Sequence, residues 1–137
     1  MTPPVRITRT ALDAVLAHAR QEPDLECCGL LAGRGGAISA VLPAKNALAS
    51  ATAFEIAPAE LFALFRHMRE LGLDHLGIYH SHPAGDNAPS PRDIERAYYP
   101  DAAYVIVSPR LDSPRPARAF TIREHRVEEL AIEAVPG

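Results

Sequence analysis

Between residues 11 and 20, Leu12, Val15, Leu16 and Ala19 recur at i, i+3, i+4 and i+7, the inward stripe of an amphipathic helix. Thr10 stands where an N-cap belongs, and residues 21–24 end the pattern. Before it, Val5-Arg6-Ile7 reads as a short strand. After it, residues 25–32 form an apolar run closed by Gly33, which predicts a buried strand. Gly35-Gly36 then predicts a turn into a partner strand over 37–42. Residues 43–52 are irregular, and Phe54-Glu55-Ile56 has the alternation of another short strand. Pro58 sits at a first-turn position, and Leu61, Leu64, Phe65 and Met68 supply the stripe of a second helix ending at Gly72.

Residues 75–82 alternate as a strand, 83–89 form a loop rich in Pro, Gly, Asp and Asn, and Ser90-Pro91-Arg92-Asp93 opens a short third helix. The run 104–108 is apolar throughout and predicts a central strand. Residues 117–123 and 127–134 read as two closing strands about a turn at Glu124-His125. Strands and helices mix without strict β-α-β alternation. The expected fold is therefore α+β, an α/β-type sandwich with one mixed sheet and flanking helices.

Composition narrows the picture only modestly. With 137 residues the chain fits a single domain, 1–137. Hydrophobic residues at 47% and charged residues at 23% are ordinary for a globular protein. A net charge of −3 gives no basic footprint for nucleic acid. No run approaches the ~20 apolar residues of a membrane span, and residues 1–6 lack a secretory pattern. Cys27 and Cys28 are adjacent and unsuited to closing a long loop, so reduced thiols and a cytoplasmic location are expected.

The informative chemistry lies in residues 79–93. Side chains two apart on a strand share a face, so His80 and His82 project together, about 7 Å apart at the backbone. Asp93 follows in the first turn of a helix. Two imidazoles and a carboxylate leave a fourth position open, as in catalytic rather than structural zinc sites, although other first-row metals accept the same donors. Glu26, the one acidic residue leading the apolar Cys27-Cys28-Gly29-Leu30-Leu31 run, could shuttle a proton if its strand neighbours the histidines.

Each feature has a plain structural reading as well. A His-x-His pair is weak evidence by itself, and a lone Glu before a strand is ordinarily an exposed charge. Ser90-x-x-Asp93 also spells a capping box, and capping and ligation would compete for the Asp93 carboxylate. Asp86 reads as a turn former and Asn46 as a loop cap. The cysteines read as packing residues, and His18, His67, His75 and His125 carry no assignment.

Taken in order, Glu26-Cys27-Cys28-Gly29-Leu30-Leu31 followed by His80-x-His82-x7-Ser90-x-x-Asp93 resembles the JAMM motif of the MPN (JAB)-domain metallopeptidases. The likeness extends over nearly the whole chain and includes Asn46 and Phe54-Glu55-Ile56. It implies an MPN fold with a cytidine-deaminase-like layout, Zn2+ on His80, His82 and Asp93, Glu26 as general acid/base, and Ser90 donating to an oxyanion. It further implies hydrolysis after the C-terminal Gly-Gly of a ubiquitin-like or sulfur-carrier protein. The compact length favours a small prokaryotic-type enzyme over a deubiquitinase acting on lysine-linked conjugates. A RadC-like DNA-associated protein shares His-x-His-Pro-x-Gly-Asp, but the expected helix-hairpin-helix segment is missing. A non-catalytic scaffold is disfavoured because all five positions are intact. A deaminase fails because no Pro-Cys-x-x-Cys element occurs.

Overall fold

Strand β1 (Val5–Thr8) passes into helix α1 (Arg9–Gln21) with no linker, which fixes where the helix starts. In this computed structural model, which describes residues 2–137, Thr8 rather than Thr10 is the N-cap, its hydroxyl accepting the Ala11 N–H at 3.1 Å. Thr10 instead donates its hydroxyl to the Gly137 carbonyl. The helix buries Ala11, Val15 and Ala19 against the sheet, close to the predicted stripe.

Strands β2 (Cys28–Arg34) and β3 (Ala37–Ala44) form the expected hairpin, with Gly35 and Gly36 both at positive φ in the turn. Helix α2 (Pro58–Glu70) begins on Pro58 as predicted. Strand β4 (Asp74–Ser81), helix α3 (Pro91–Glu95) and β5 (Ala103–Val107) make a β-α-β crossover, with β4 and β5 parallel. Strands β6 (Ala117–Arg123), β7 (Arg126–Leu130) and β8 (Ile132–Val135) complete a mixed sheet in the order β7-β6-β5-β4-β2-β3-β1-β8. As the apolar run required, β5 is interior and buried at every residue.

Two expected strands come out differently. The segment 127–134 is broken at Ala131: β7 pairs antiparallel with β6, whereas β8 pairs parallel with β1 at the other end of the strand order. Because one residue joins them, and the Ala131 carbonyl accepts the Val5 N–H at 2.8 Å, the two ends of the sheet meet. The sheet thus curls around α1, and Val5, Val105, Ala119 and Leu130 share one apolar cluster with that helix. The second difference is Phe54-Glu55-Ile56, which forms no strand. Its hydrogen bonds go locally: Asn46 Oδ1 accepts the Glu55 N–H at 3.2 Å, and the Glu55 carbonyl accepts the Ala47 N–H.

The other face of the sheet packs Leu30, Leu42, Ile78, Tyr104 and Ile106 under α2, with Ile94 of α3 alongside. The layers are α1, sheet, then α2 with α3, the α+β sandwich anticipated. Gly29 is needed where β2 crosses the buried Tyr79 ring, since a Cβ there would lie 2.5 Å from Tyr79 Cε1 and 2.6 Å from the Leu42 carbonyl. The Tyr79 hydroxyl pairs with His18 Nδ1 at 2.7 Å, and His18 Nε2 with Glu22 at 2.6 Å, tying α1 to the back of β4.

Candidate metal centre

His80 lies opposite Cys28 on β2 and Ile106 on β5, so it is walled by backbone on both sides and is 2% exposed. It points to the α2–α3 face and stacks on Phe54 with centroids 4.6 Å apart. His82 falls one residue past the end of β4, although its N–H still bonds the Val107 carbonyl at 3.0 Å. The chain turns back through 83–89, and the Asp86 carbonyl meets His82 Nδ1 at 2.7 Å. Asp86 is thus a loop residue, not a ligand, and Arg118 holds its carboxylate at 3.2 Å.

Asp93 sits three residues after the Ser90 N-cap of α3. The capping box is complete: Ser90 Oγ accepts the Asp93 N–H at 3.1 Å, and Asp93 Oδ2 accepts the Ser90 N–H at 2.9 Å. That same Oδ2 lies 3.1 Å from both His80 Nε2 and His82 Nε2. Capping and proximity to the imidazoles coexist on one carboxylate oxygen, which meets the Ser90 N–H and both Nε2 atoms. The Ser90 hydroxyl spends a lone pair on the cap and keeps its hydrogen free to donate.

The two Nε2 atoms are themselves 3.1 Å apart, so three donors form a near-equilateral triangle. Tetrahedral zinc with bonds of about 2.0–2.1 Å separates its ligand atoms by roughly 3.3 Å, close to that spacing. A carbonyl only accepts, so His82 Nδ1 carries a proton, and loss of the Nε2 proton would leave that nitrogen's lone pair for a metal. His82 Nε2, His80 Nε2 and Asp93 Oδ2 face one point, a donor set that suits a cation. The residues fit a metal ion.

Glu26 completes the cluster, with one ligand atom from each of Glu26, His80, His82 and Asp93 within 4.8 Å of the others. It is 3% exposed, and its Oε1 is buried without a hydrogen-bond partner among the described residues. Burial, with the Asp93 carboxylate adding to it, raises its pKa from 4.5 to about 7 against the opposing pull of His82 and Arg92. Burial holds the His80 imidazole below its ordinary pKa. For His82 burial works the same way but is outweighed by Asp93 and the Asp86 carbonyl, and its pKa rises. Burial would raise Asp93, yet bonds from both imidazoles hold it well below the usual carboxylate range.

Some contributors had no sequence signal. Beside His80 and Asp93 lies a cavity of about 160 Å³ lined by Phe54, Ile78, Arg92, Tyr98, Tyr99 and Tyr104. The Asp86 carbonyl is a backbone group, so residue type could not announce it. Arg118 was equally unmarked, and Phe54 was marked only as part of the Phe54-Glu55-Ile56 segment, not as a neighbour of His80. Asn46 does cap its loop, with Nδ2 on the Glu26 and Ala53 carbonyls and Oδ1 on the Leu48 and Glu55 N–H groups. Cys27 and Cys28 are buried free thiols whose pKa values burial pushes up to about 11 and about 12, as packing residues should be.

Residues 8–123 match the family model described as prokaryotic homologs of the JAB domain. The chain is 38% identical over 130 residues to a desampylase of Haloferax volcanii, covering 90% of this chain and 92% of the relative. It is 34% identical over 126 residues to a CysO-cysteine peptidase of Mycobacterium tuberculosis, covering 90% and 86%. A solution structure of a Desulfitobacterium hafniense protein superimposes with a TM-score of 0.84 at 35% identity, covering 96% of this chain and 93% of that one. With the matched span reaching from the N-cap of α1 to the end of β6, and the four clustered side chains all inside it, the chain belongs to the prokaryotic JAB-domain family.

Proposed function

We propose that this protein is a zinc-dependent peptidase or isopeptidase that hydrolyses the amide bond after the C-terminal Gly-Gly of a ubiquitin-like or sulfur-carrier protein. The observation that carries this reading is the convergence of His80 Nε2, His82 Nε2 and Asp93 Oδ2 at 3.1 Å beside the partnerless Glu26 Oε1. The family membership supports it, as do relatives named desampylase and CysO-cysteine peptidase.

His80, His82 and Asp93 would hold the ion. Zinc bound there supplies Lewis acidity toward a carbonyl and lowers the pKa of water. Glu26, whose carboxylate lies within reach of the three ligand atoms, would take the proton of the attacking water and return it to the departing amine. The free hydrogen of the Ser90 hydroxyl points its donor capacity at the oxyanion that develops on the tetrahedral carbon. Phe54 and Ile78 line the cavity on the His80 side and give it an apolar wall. No nucleic-acid partner is part of this reading.

The two relatives' names suggest two leaving groups, a short C-terminal extension and a conjugated protein. The zinc-loaded protein is incubated with a carrier extended past Gly-Gly by one cysteine, and separately with a carrier joined to a lysine side chain. Intact mass spectrometry reads the products, with Glu26→Gln as the control. Cleavage of either substrate that requires Glu26 is the expected result. Full zinc occupancy with neither substrate cut overturns the hydrolase reading.

A further inference from the structure

Glu26 is aimed by its backbone, because its buried Oε1 has no hydrogen-bond partner among the described residues. It lies outside the sheet, since β2 and its pairing with β3 and β4 begin at Cys28, two residues after it. Even so, all four polar groups of the two peptide planes flanking it are bonded. The Leu25 carbonyl accepts the Ser81 hydroxyl at 3.3 Å, and the Glu26 N–H donates to the Ser50 carbonyl at 2.9 Å. The Glu26 carbonyl accepts Asn46 Nδ2 at 3.0 Å, and the Cys27 N–H donates to Ser81 Oγ at 2.9 Å. Fixing both planes fixes φ and ψ between them, and with them the direction of the Cα–Cβ bond.

Ser81 contributes to both planes. It is fully buried and is the last residue of β4, between His80 and His82 and facing away from them. Its own N–H also donates to the Cys27 carbonyl at 3.1 Å. One hydroxyl therefore references the base to the strand that carries two metal donors. Asn46 holds the remaining carbonyl from the opposite side while organising residues 46–55.

We propose that Ser81, assisted by Asn46, is a positioning residue that clamps the peptide planes on either side of Glu26 and so sets the carboxylate at its distance from the metal ligands. This rests on the reading of Glu26 as the general acid/base. Misplacing a reacting group by about 1 Å can cost ~100-fold in rate, so a clamp on the mount affects turnover without touching substrate.

Amide hydrogen exchange by NMR on the metal-free protein tests the clamp without any catalysis. The Glu26 and Cys27 amides should exchange as slowly as those inside β2, and exchange at open-loop rates overturns the proposal. Ser81→Ala should speed Cys27 exchange at least about tenfold and lower kcat about 10- to 100-fold, with KM within about twofold and zinc content unchanged. Ser81→Thr keeps the hydroxyl and should restore both. A wild-type kcat in Ser81→Ala overturns the clamp, as does zinc loss in proportion to activity, or Cys27 protection returning in Ser81→Thr without turnover. Should Ser81→Ala not fold, wild-type exchange and Ser81→Thr still decide. Turnover surviving Glu26→Gln would instead refute the role of Glu26, a separate failure.

Discussion

His82 Nδ1 lies 2.7 Å from the main-chain carbonyl of Asp86, and this contact settles which nitrogen of the ring is left for a metal. Since Nδ1–H is the donor, Nε2 is the nitrogen that faces Asp93, and a cation bound there would take the place of the proton that otherwise links the two. Added Zn2+ is therefore expected to raise the melting temperature. At 100 times Kd the gain is about 2.7 kcal/mol. His82→Ala should lose most of that gain and most of the bound metal, read by differential scanning fluorimetry and elemental analysis. Undiminished zinc content would remove His82 from the ligand set.

The buried Glu26 carboxyl makes metal-free stability depend on pH in a definite direction. Its pKa rises from 4.5 to about 7 on folding, so between those values the folded protein holds the extra proton. That contribution is fully present below 4.5 and is lost as pH rises through about 7. Glu26→Gln has no proton to lose. With chelator present, its melting temperature should exceed the wild type's at about pH 8.5, and the gap should narrow toward about pH 4.5. A gap that does not change with pH would show that Glu26 is not the group responsible.

Ser90 has two separable duties. As the N-cap of α3 it accepts the Asp93 N–H, and losing a cap costs about 1 kcal/mol. As a donor to an oxyanion it would be worth about 100- to 1,000-fold in kcat. Ser90→Ala should show both losses while zinc content stays within a few-fold of wild type. A stability loss with unchanged kcat would leave only the cap.

The β6–β7 turn offers a test far from the site. Glu124 and His125 both adopt positive φ, at 50° and 65°, although neither is glycine. The left-handed region costs a non-glycine residue about 1–2 kcal/mol, partly offset in the comparison by glycine's own unfolded-state entropy. His125→Gly should stabilise the fold by about 0.5–1 kcal/mol in urea unfolding, with turnover unchanged. Destabilisation would mean that the His125 side chain makes a compensating contact.

How much of this was legible in the sequence depends on the range of the forces involved. Strand alternation put His80 and His82 on one face, and Pro58, Gly35 and Gly36 marked real boundaries, because these signals act within a few residues. The break at Ala131 was not legible, since no Gly or Pro marks it and the apolar pattern runs on. Phe54-Glu55-Ile56 has strand-like composition, but Asn46 claims the Glu55 N–H that a neighbouring strand would need. Ser81 could be placed facing away from the ligands, yet its bonds to Leu25 and Cys27 cross more than fifty residues. Nothing local in a sequence encodes such a pairing.

The meeting of the sheet's two ends at Ala131 sets an order of assembly. Strands β2, β4 and β5, which carry the metal-binding face, are neighbours whose pairing needs nothing after Val107. By contrast, β1 precedes the other strands described and waits for β8, seven strands later, to cover its outer edge. Until then the pocket that receives α1 lacks one wall, and the nascent chain carries an open strand edge and an uncovered apolar helix face. Vulnerability to misassociation during synthesis is therefore concentrated at the β1 seam, on the side of the sheet away from the chemistry.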